Sequence, residues 1–398
     1  MEIQLPDYIR TIRPYVPGKP IEETRREFGL KHVVKLASNE NPLGPSPKAL
    51  EAIRSHLKEL GRYPDSSGTQ LKEALSRHLG FPVGQIAVGN GSNELINLLI
   101  GAYCIPGDAI VTSQAAFVAY KVCAQVHGVR TLESPLREDL TFDLDAMLDL
   151  VKNDSRVKIV FIANPNNPTG TYSREGELRQ FLKAVSAHRD GSVLVVLDSA
   201  YWEFVTAKDL PDASELVREF PNVISMRTFS KIYGLAGLRI GYWVAPADLT
   251  AAVNKIREPF NVNSLGLAAA EAALTDKAFV KRAQKTNQDG MKVWEKFLSA
   301  NSIPFWKSQG NFILIDAQKG FGKSGGEIFE SCLAHGVIFR PVANYGLSHY
   351  LRISVGTAQE NQFAIKVLTQ FLKSSQSETT TETIKKNGSR KSKKWRKK

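Results

Sequence analysis

Cysteine is scarce in this chain. There are three in 398 residues, Cys104, Cys123 and Cys332, far apart and in no C-x-x-C arrangement. That excludes a disulfide framework and a zinc site of the paired-cysteine kind. All three read as reduced and packed in the interior. The seven histidines form no H-x-x-x-H pair beside an acid, so a metal site has no support. No apolar run approaches the ~18 residues of a spanning helix. The start, MEIQLPDYIR, lacks the basic-then-apolar signal pattern, and the expected location is the cytoplasm. A Walker loop is missing too. The nearest glycine fingerprint, from Gly89, is incomplete because Glu94 stands at its last position. A nicotinamide oxidoreductase would need the full fingerprint and an acid some way beyond it.

What is present is ordinary globular texture, with 42% apolar and 23% charged residues. Net charge is +12, of which residues 374–398 carry +7. That polar, basic tail is expected to be disordered and solvated; non-specific nucleic-acid binding is the alternative reading. Short apolar runs (QIAVGN, DAIVTS, VKIVFIANP, SVLVVLDS, NVISMRTFS) alternate with amphipathic segments at Asn93–Tyr103, Ala116–His127, Asp143–Val151 and Arg174–His188. This alternation predicts an α/β fold: a mostly parallel sheet, buried on both faces and flanked by helices. The texture changes near residue 265. One long helical stretch covers 265–300, then come short strands in GNFILID, GVIFRP and YLRISVGT and a last helix over 358–373. These predict a smaller α+β domain. Five prolines up to Pro42 make the start read as an extended arm. The expected division is 1–45 for the arm and part of the small domain, 46–265 for the large domain, 266–373 for the small domain and 374–398 for the tail.

In an open α/β sheet, ligands bind beyond the carboxyl ends of the strands, and the residues there are unusual. QIAVGN runs through Gly89-Asn90-Gly91 into a helix beginning near Ser92, which offers free amides to an anion. VKIVFIA ends in Asn164-Pro165-Asn166-Asn167-Pro168. SVLVVL runs into Asp198, with Tyr201 three residues later. NVISMRTFS leads to Ser230-Lys231, with Arg239 beyond a Gly-rich bend. Singly, each has a plain structural explanation: a glycine turn, a proline turn, a capping acid, a solvent-facing lysine. Lys231 is the odd one, because an ammonium among Phe229, Ile232, Tyr233 and Leu235 is costly to bury and its pKa would fall. Together they offer an anion site, an amide, a carboxylate with a phenol, and a nucleophilic amine. One ligand uses the whole set: pyridoxal 5'-phosphate, with an aldehyde for a lysine, a pyridinium nitrogen for a carboxylate and a phosphate for amides, hydroxyls and an arginine.

At this point the blocks ASNENPLGPSPKAL (37–50), RYPDSSGTQLKEAL (62–75), NPNNPTG (164–170), VLDSAYWEF (196–204), TFSKIYGLAGLRIGY (228–242) and YLRISVGT (350–357) resemble those of the fold-type I, PLP-dependent aminotransferases. The ENPLGPSP, YPD and LRISVGT blocks narrow the resemblance to the histidinol-phosphate branch. It spans roughly residues 5–372. It implies a large domain with a mostly parallel, seven-stranded sheet plus a smaller α+β domain. It also implies exchange of an amino group between histidinol phosphate and 2-oxoglutarate, reversibly and by ping-pong kinetics, in histidine biosynthesis. Aromatic amino-acid aminotransferases, and a threonine-phosphate decarboxylase of the same fold, are the alternatives.

By the same resemblance Lys231 is the lysine that binds the cofactor, Asp198 faces the pyridinium nitrogen, and Asn167 and Tyr201 bond the phenolic oxygen. Lys231, Asp198 and Tyr201 are the expected catalytic residues. Gly91, Ser92 and Asn93 hold the phosphate, with Ser230, Arg239 and Thr228 completing its cradle. Phe117 stacks on the ring, where many relatives have tyrosine. Asn93 stands where an acid is common. Tyr63 reaches the phosphate of a neighbouring subunit, which implies a homodimer with shared sites. Arg352 grips the anionic end of the substrate, with Asn167 and Tyr15 also in the substrate pocket.

Overall fold

The computed structural model describes residues 4–12 and 18–372. Tyr15 and the basic tail lie outside the described residues. The chain divides into two compact units. The first comprises the described residues before position 13, Asn39–Asp289 and Trp306–Ile313. The second comprises Gly18–Ser38, Gly290–Phe305 and the chain from Leu314 on.

After a two-residue strand, β1 (Val34–Lys35), the chain lays down seven strands: β2 (Ile86–Gly89), β3 (Ala109–Ser113), β4 (Arg130–Ser134), β5 (Val157–Ala163), β6 (Leu194–Asp198), β7 (Val223–Thr228) and β8 (Gly241–Val244). They form one sheet in the order β2-β8-β7-β6-β5-β3-β4. β4, β3, β5, β6 and β7 run parallel, and β8 is antiparallel to both of its neighbours. Every residue of β3, β6 and β7 is buried, which is why these runs lack polar alternation. The register aligns the strand ends. Ala163 lies opposite Asp198, Asp198 opposite Met226, Thr228 opposite Gly241, and Gly241 opposite Gly89. The four segments singled out in the sequence therefore leave the sheet along a single edge.

The helices expected between strands are found at Ser92–Tyr103, Ala119–Val126, Leu144–Asn153 and Glu175–Ala187. Two expectations need correction. The proline-rich start is not wholly extended, because Asp7–Arg10 and Ile21–Phe28 are helical. Pro6 and Pro20 stand at their N-caps, where the missing amide costs nothing, so these prolines start helices. The single helix expected over 265–300 is two, Ser264–Thr275 and Lys277–Ala300. Asp276 separates them: its carboxylate accepts from the Phe279 amide at 3.1 Å, a local capping bond that competes with continuation of the helix.

The second unit has strands β9 (Phe305–Trp306), β10 (Phe312–Asp316), β11 (Val337–Ile338), β12 (Arg340–Val342) and β13 (Leu347–Ser354), the first two beginning in or overlapping the preceding unit along the chain. Their pairings give a four-stranded sheet, β12-β13-β10-β9, and a two-stranded parallel pair, β1-β11. Asn361 ties this unit together. Its carbonyl accepts from Trp294 Nε1 and the Gly356 amide, both at 2.9 Å. Residues 358–372 are helical. No described helix is long and apolar enough to cross a membrane. Cys123 and Cys332 are buried and Cys104 is half-buried; all three are free, and burial pushes the Cys104 and Cys332 thiols up to about 12 and that of Cys123 to about 11.

Candidate active site

Lys231 stands on a closed turn just past β7. The Phe229 amide donates to the Ile240 carbonyl at 3.0 Å, Leu235 to Phe229 at 3.1 Å and Gly234 to Lys231 at 3.1 Å. Backbone bonds thus fix the Lys231 Cα, while the side chain is half-buried, since its turn leaves the sheet at the strand end. Its Nζ lies 5.7 Å from the centre of the Tyr201 ring. Thr228 and Ser230 are buried beside it. The Thr228 hydroxyl donates to Ser230 Oγ at 3.0 Å and accepts from the Ser230 amide at 3.1 Å.

Asp198, the last residue of β6, is only 5% exposed. Its Oδ2 accepts from the Tyr120 hydroxyl at 2.7 Å and its Oδ1 from the Ala200 amide at 3.2 Å. Among the described residues no arginine or lysine forms an ion pair with it. Burial pushes its carboxyl above the usual range; the Tyr120 and Ala200 bonds and the charge of Lys231 act against that shift without cancelling it.

The sequence-based reading did not single out Tyr120. It lies three residues after Phe117, in the first turn of the helix Ala119–Val126 that Phe117 precedes, and the two rings meet edge-on at 5.7 Å. That F-x-x-Y spacing was the available signal. Tyr120 also stacks on Phe161 at 4.7 Å, which locks the phenol that holds Asp198. Phe117 itself is half-buried.

The asparagines after β5 divide their work. Asn164 exchanges bonds with the Ser173 backbone at 2.8 and 3.1 Å. Asn166 donates to the Ala115 carbonyl at 3.1 Å and to Thr169 Oγ1 at 2.9 Å, which fastens the loop beside the Phe117 turn. Both are buried, whereas Asn167 is half-buried. The loop therefore presents Asn167.

The anion cradle is built by close approach. No side chain caps the helix Ser92–Tyr103, so its first amides stay available. Gly91 precedes it at φ 78°, and a Cβ there would run into the Arg239 guanidinium. The positive φ favours glycine, and the missing Cβ leaves room for that arginine against the helix start. Arg239 has φ 57° and donates to the Ala236 carbonyl at 2.9 Å. Glu94, which spoils the fingerprint, accepts from the Asn90 amide and from Asn261 Nδ2, both at 2.6 Å. It braces the glycine loop and suits the positive end of the helix.

These groups fit the expected cofactor: uncapped amides and an arginine for a phosphate, a buried carboxyl for a pyridinium nitrogen, and an amine on a rigid turn for an aldehyde. The described contacts of two further predicted residues are with other groups. Tyr63 is 82% exposed and stacks on Phe260 at 4.7 Å. Arg352 belongs to the second unit, on β13, where it is buried and its Nη2 donates to the Ala37 carbonyl at 2.5 Å.

Residues 31–368 match the family model of class I and II aminotransferases. A histidinol-phosphate aminotransferase of Bdellovibrio bacteriovorus is 45% identical over 92% of this chain and 97% of its own. One from Anaeromyxobacter is 45% identical over 92% and 99%. Among solved structures, histidinol-phosphate aminotransferase from Sinorhizobium meliloti, in complex with pyridoxal-5'-phosphate, superposes with a TM-score of 0.84 at 30% identity, over 94% of this chain and 99% of that one. The aspartate aminotransferase of Thermus thermophilus, at 19% identity and a TM-score of 0.80, shares the fold. The chain belongs to the class I and II aminotransferases, with the fold class read from its sequence.

Proposed function

We propose that this chain is a histidinol-phosphate aminotransferase, using pyridoxal 5'-phosphate to exchange an amino group between histidinol phosphate and 2-oxoglutarate in histidine biosynthesis. The observation that carries it is Asp198, a buried carboxyl at a strand end with a phenol and an amide on its oxygens and no cation of its own among the described residues. Family membership and the 45% identical relatives support the narrower assignment.

When bound, the cofactor supplies an aldehyde for amines and a ring that accepts electrons from the substrate carbon. The rest is done by the chain. The Lys231 amine would hold the aldehyde and, when free, would take the substrate's α-proton and deliver it to the aldehyde carbon of the cofactor. The Asp198 carboxylate keeps the ring nitrogen protonated by placing negative charge beside it where water is excluded. The Tyr201 and Asn167 side chains bond the phenolic oxygen. The amides from Gly91 to Asn93, with Ser230, Thr228 and Arg239, hold the phosphate, and Phe117 covers the ring. Arg352 binds the anionic end of either substrate, because its planar fork suits phosphate and carboxylate alike.

The proposal includes a cytoplasmic homodimer. Tyr63 and Phe260 stack on the surface, with Leu57 and Leu60 also exposed, beside a cavity of about 180 Å³ lined by His56, Arg62, Asp65, Leu267 and Glu271. An exposed aromatic pair beside a cavity lined largely by polar residues suits a second copy whose phosphate Tyr63 reaches.

Borohydride treatment of the coloured enzyme should fix the cofactor on the peptide that contains Lys231. Lys231→Ala should lose both colour and turnover. In an amino-donor panel, histidinol phosphate should exceed phenylalanine in kcat/KM by at least about tenfold, the spread that one charged contact supports. A preference for phenylalanine would overturn the substrate, and a colourless protein would overturn the chemistry.

A further inference from the structure

The segment Asn39–Gly44 has no place in the cofactor set above, yet it meets Tyr201 and, at two further points, the turn that carries Lys231. Asn39 is 1% exposed, and its Nδ2 donates to the Tyr201 hydroxyl at 2.9 Å. Two residues on, Asn41 Nδ2 donates to the carbonyl of Ile232, the neighbour of Lys231, at 2.7 Å. The carbonyl of Gly44 lies so close to Gly234 that a Cβ on Gly234 would overlap it. Asn39 is itself held firmly. Its carbonyl accepts from Asn311 Nδ2 at 3.0 Å, and its backbone is left-handed at φ 54°, a region few residues other than glycine tolerate and asparagine tolerates best. A buried side chain on an uncommon backbone, aimed at a phenol expected to touch the cofactor, points to a role in orienting that phenol.

We infer that Asn39 is a positioning residue for the Tyr201 hydroxyl. A phenol has one proton to give. With Asn39 donating to the Tyr201 oxygen, that proton is not spent on Asn39 and is directed to the phenolic oxygen of the cofactor. A donor there stabilises negative charge on that oxygen and weakens its hold on the proton at the Lys231 nitrogen. That nitrogen then loses its proton at lower pH than it would without the bond. The inference rests on the cofactor reading above.

The test is a pH titration of the visible absorbance of the cofactor-loaded enzyme. Asn39→Gly removes the amide while accepting the same backbone angle. It should raise the midpoint of the colour change by roughly half a pH unit, as expected for a hydrogen bond acting at second hand. Asn39→Asp, of the same shape, accepts the Tyr201 proton and should raise the midpoint further, by about one unit. Tyr201→Phe should also raise it, and adding Asn39→Gly to Tyr201→Phe should change nothing more. If either Asn39 variant titrates like the parent, or if the Asn39→Gly shift persists in full without the Tyr201 hydroxyl, Asn39 does not act through Tyr201. Should Asn39→Gly fail to fold, Asn39→Asp decides. A parent enzyme with no visible band would instead bring down the cofactor reading, and this inference with it.

Discussion

Two places in the first unit draw charge away from water, and they are built in opposite ways. At the end of β6, Asp198 is buried with a phenol and an amide on its oxygens and no cation of its own among the described residues. On β7, Arg227 is 5% exposed, but it forms an ion pair with Asp212, the N-cap of the helix Ala213–Glu219, and lies over the Trp202 ring at 5.4 Å. Burial acts on both carboxyls. At Asp198 it prevails and the group is pushed up; at Asp212 the Arg227 charge and two bonds from Ser214 outweigh it, and the group is held below its usual range. Arg227 is held above its ordinary value: burial alone would lower it, and Tyr242, Asp212 and Glu203 reverse that. The second site pairs its buried charge with an opposite one. The first holds its carboxyl with a phenol and an amide and no ion pair among the described residues, an arrangement that suits a binding group better than a structural ion pair does.

The contrast can be broken in three ways. The largest effect is expected at Asp198. Asp198→Asn removes the charge but keeps the shape, so the enzyme should still take up cofactor while kcat falls about a thousandfold. A kcat within a few-fold of the parent would show that the ring nitrogen is not held there. Next comes Arg227→Met. It leaves Asp212 without its cation and should cost about 3 kcal/mol in a urea melt, with kcat per folded molecule little changed. A loss of kcat without loss of stability would move Arg227 from the structural class to the functional one. The smallest is Tyr120→Phe, which deletes one bond to Asp198. It should lower kcat about tenfold while stability changes by roughly 1 kcal/mol. An unchanged rate would make the Tyr120 phenol a packing group only.

Both carboxyls show how far the chain alone can be read. An acid directly after five apolar residues marks Asp198 as either paired or functional, and the sequence leaves that choice open. What the sequence does not show is the partner, Tyr120, 78 residues away. Asp212 carries a local signal, since its oxygen caps Ser214 two residues on, but its partner Arg227 arrives from the next strand. Glu94 looks like a defect in a glycine fingerprint until its bonds to Asn90 and Asn261 are seen. The proline-rich start was misread because proline both disrupts a helix interior and suits a helix start, and composition does not say which position each proline takes.

By itself the sequence determined the elements and their order: apolar runs that become strands, the glycine and proline turns that end them, and the lysine turn past β7. These are local properties, set by backbone preference and by the spacing of apolar side chains over a few residues. Only the tertiary structure decided which side chains meet. The sheet order places β3 between β4 and β5 and so brings the helix after β3 to the end of β6. The tertiary fold likewise brings Asn39 to Tyr201 across 162 residues and, within the second unit, Arg352 to Ala37 across 315. Such contacts depend on strand order and register, and no window of sequence contains both partners.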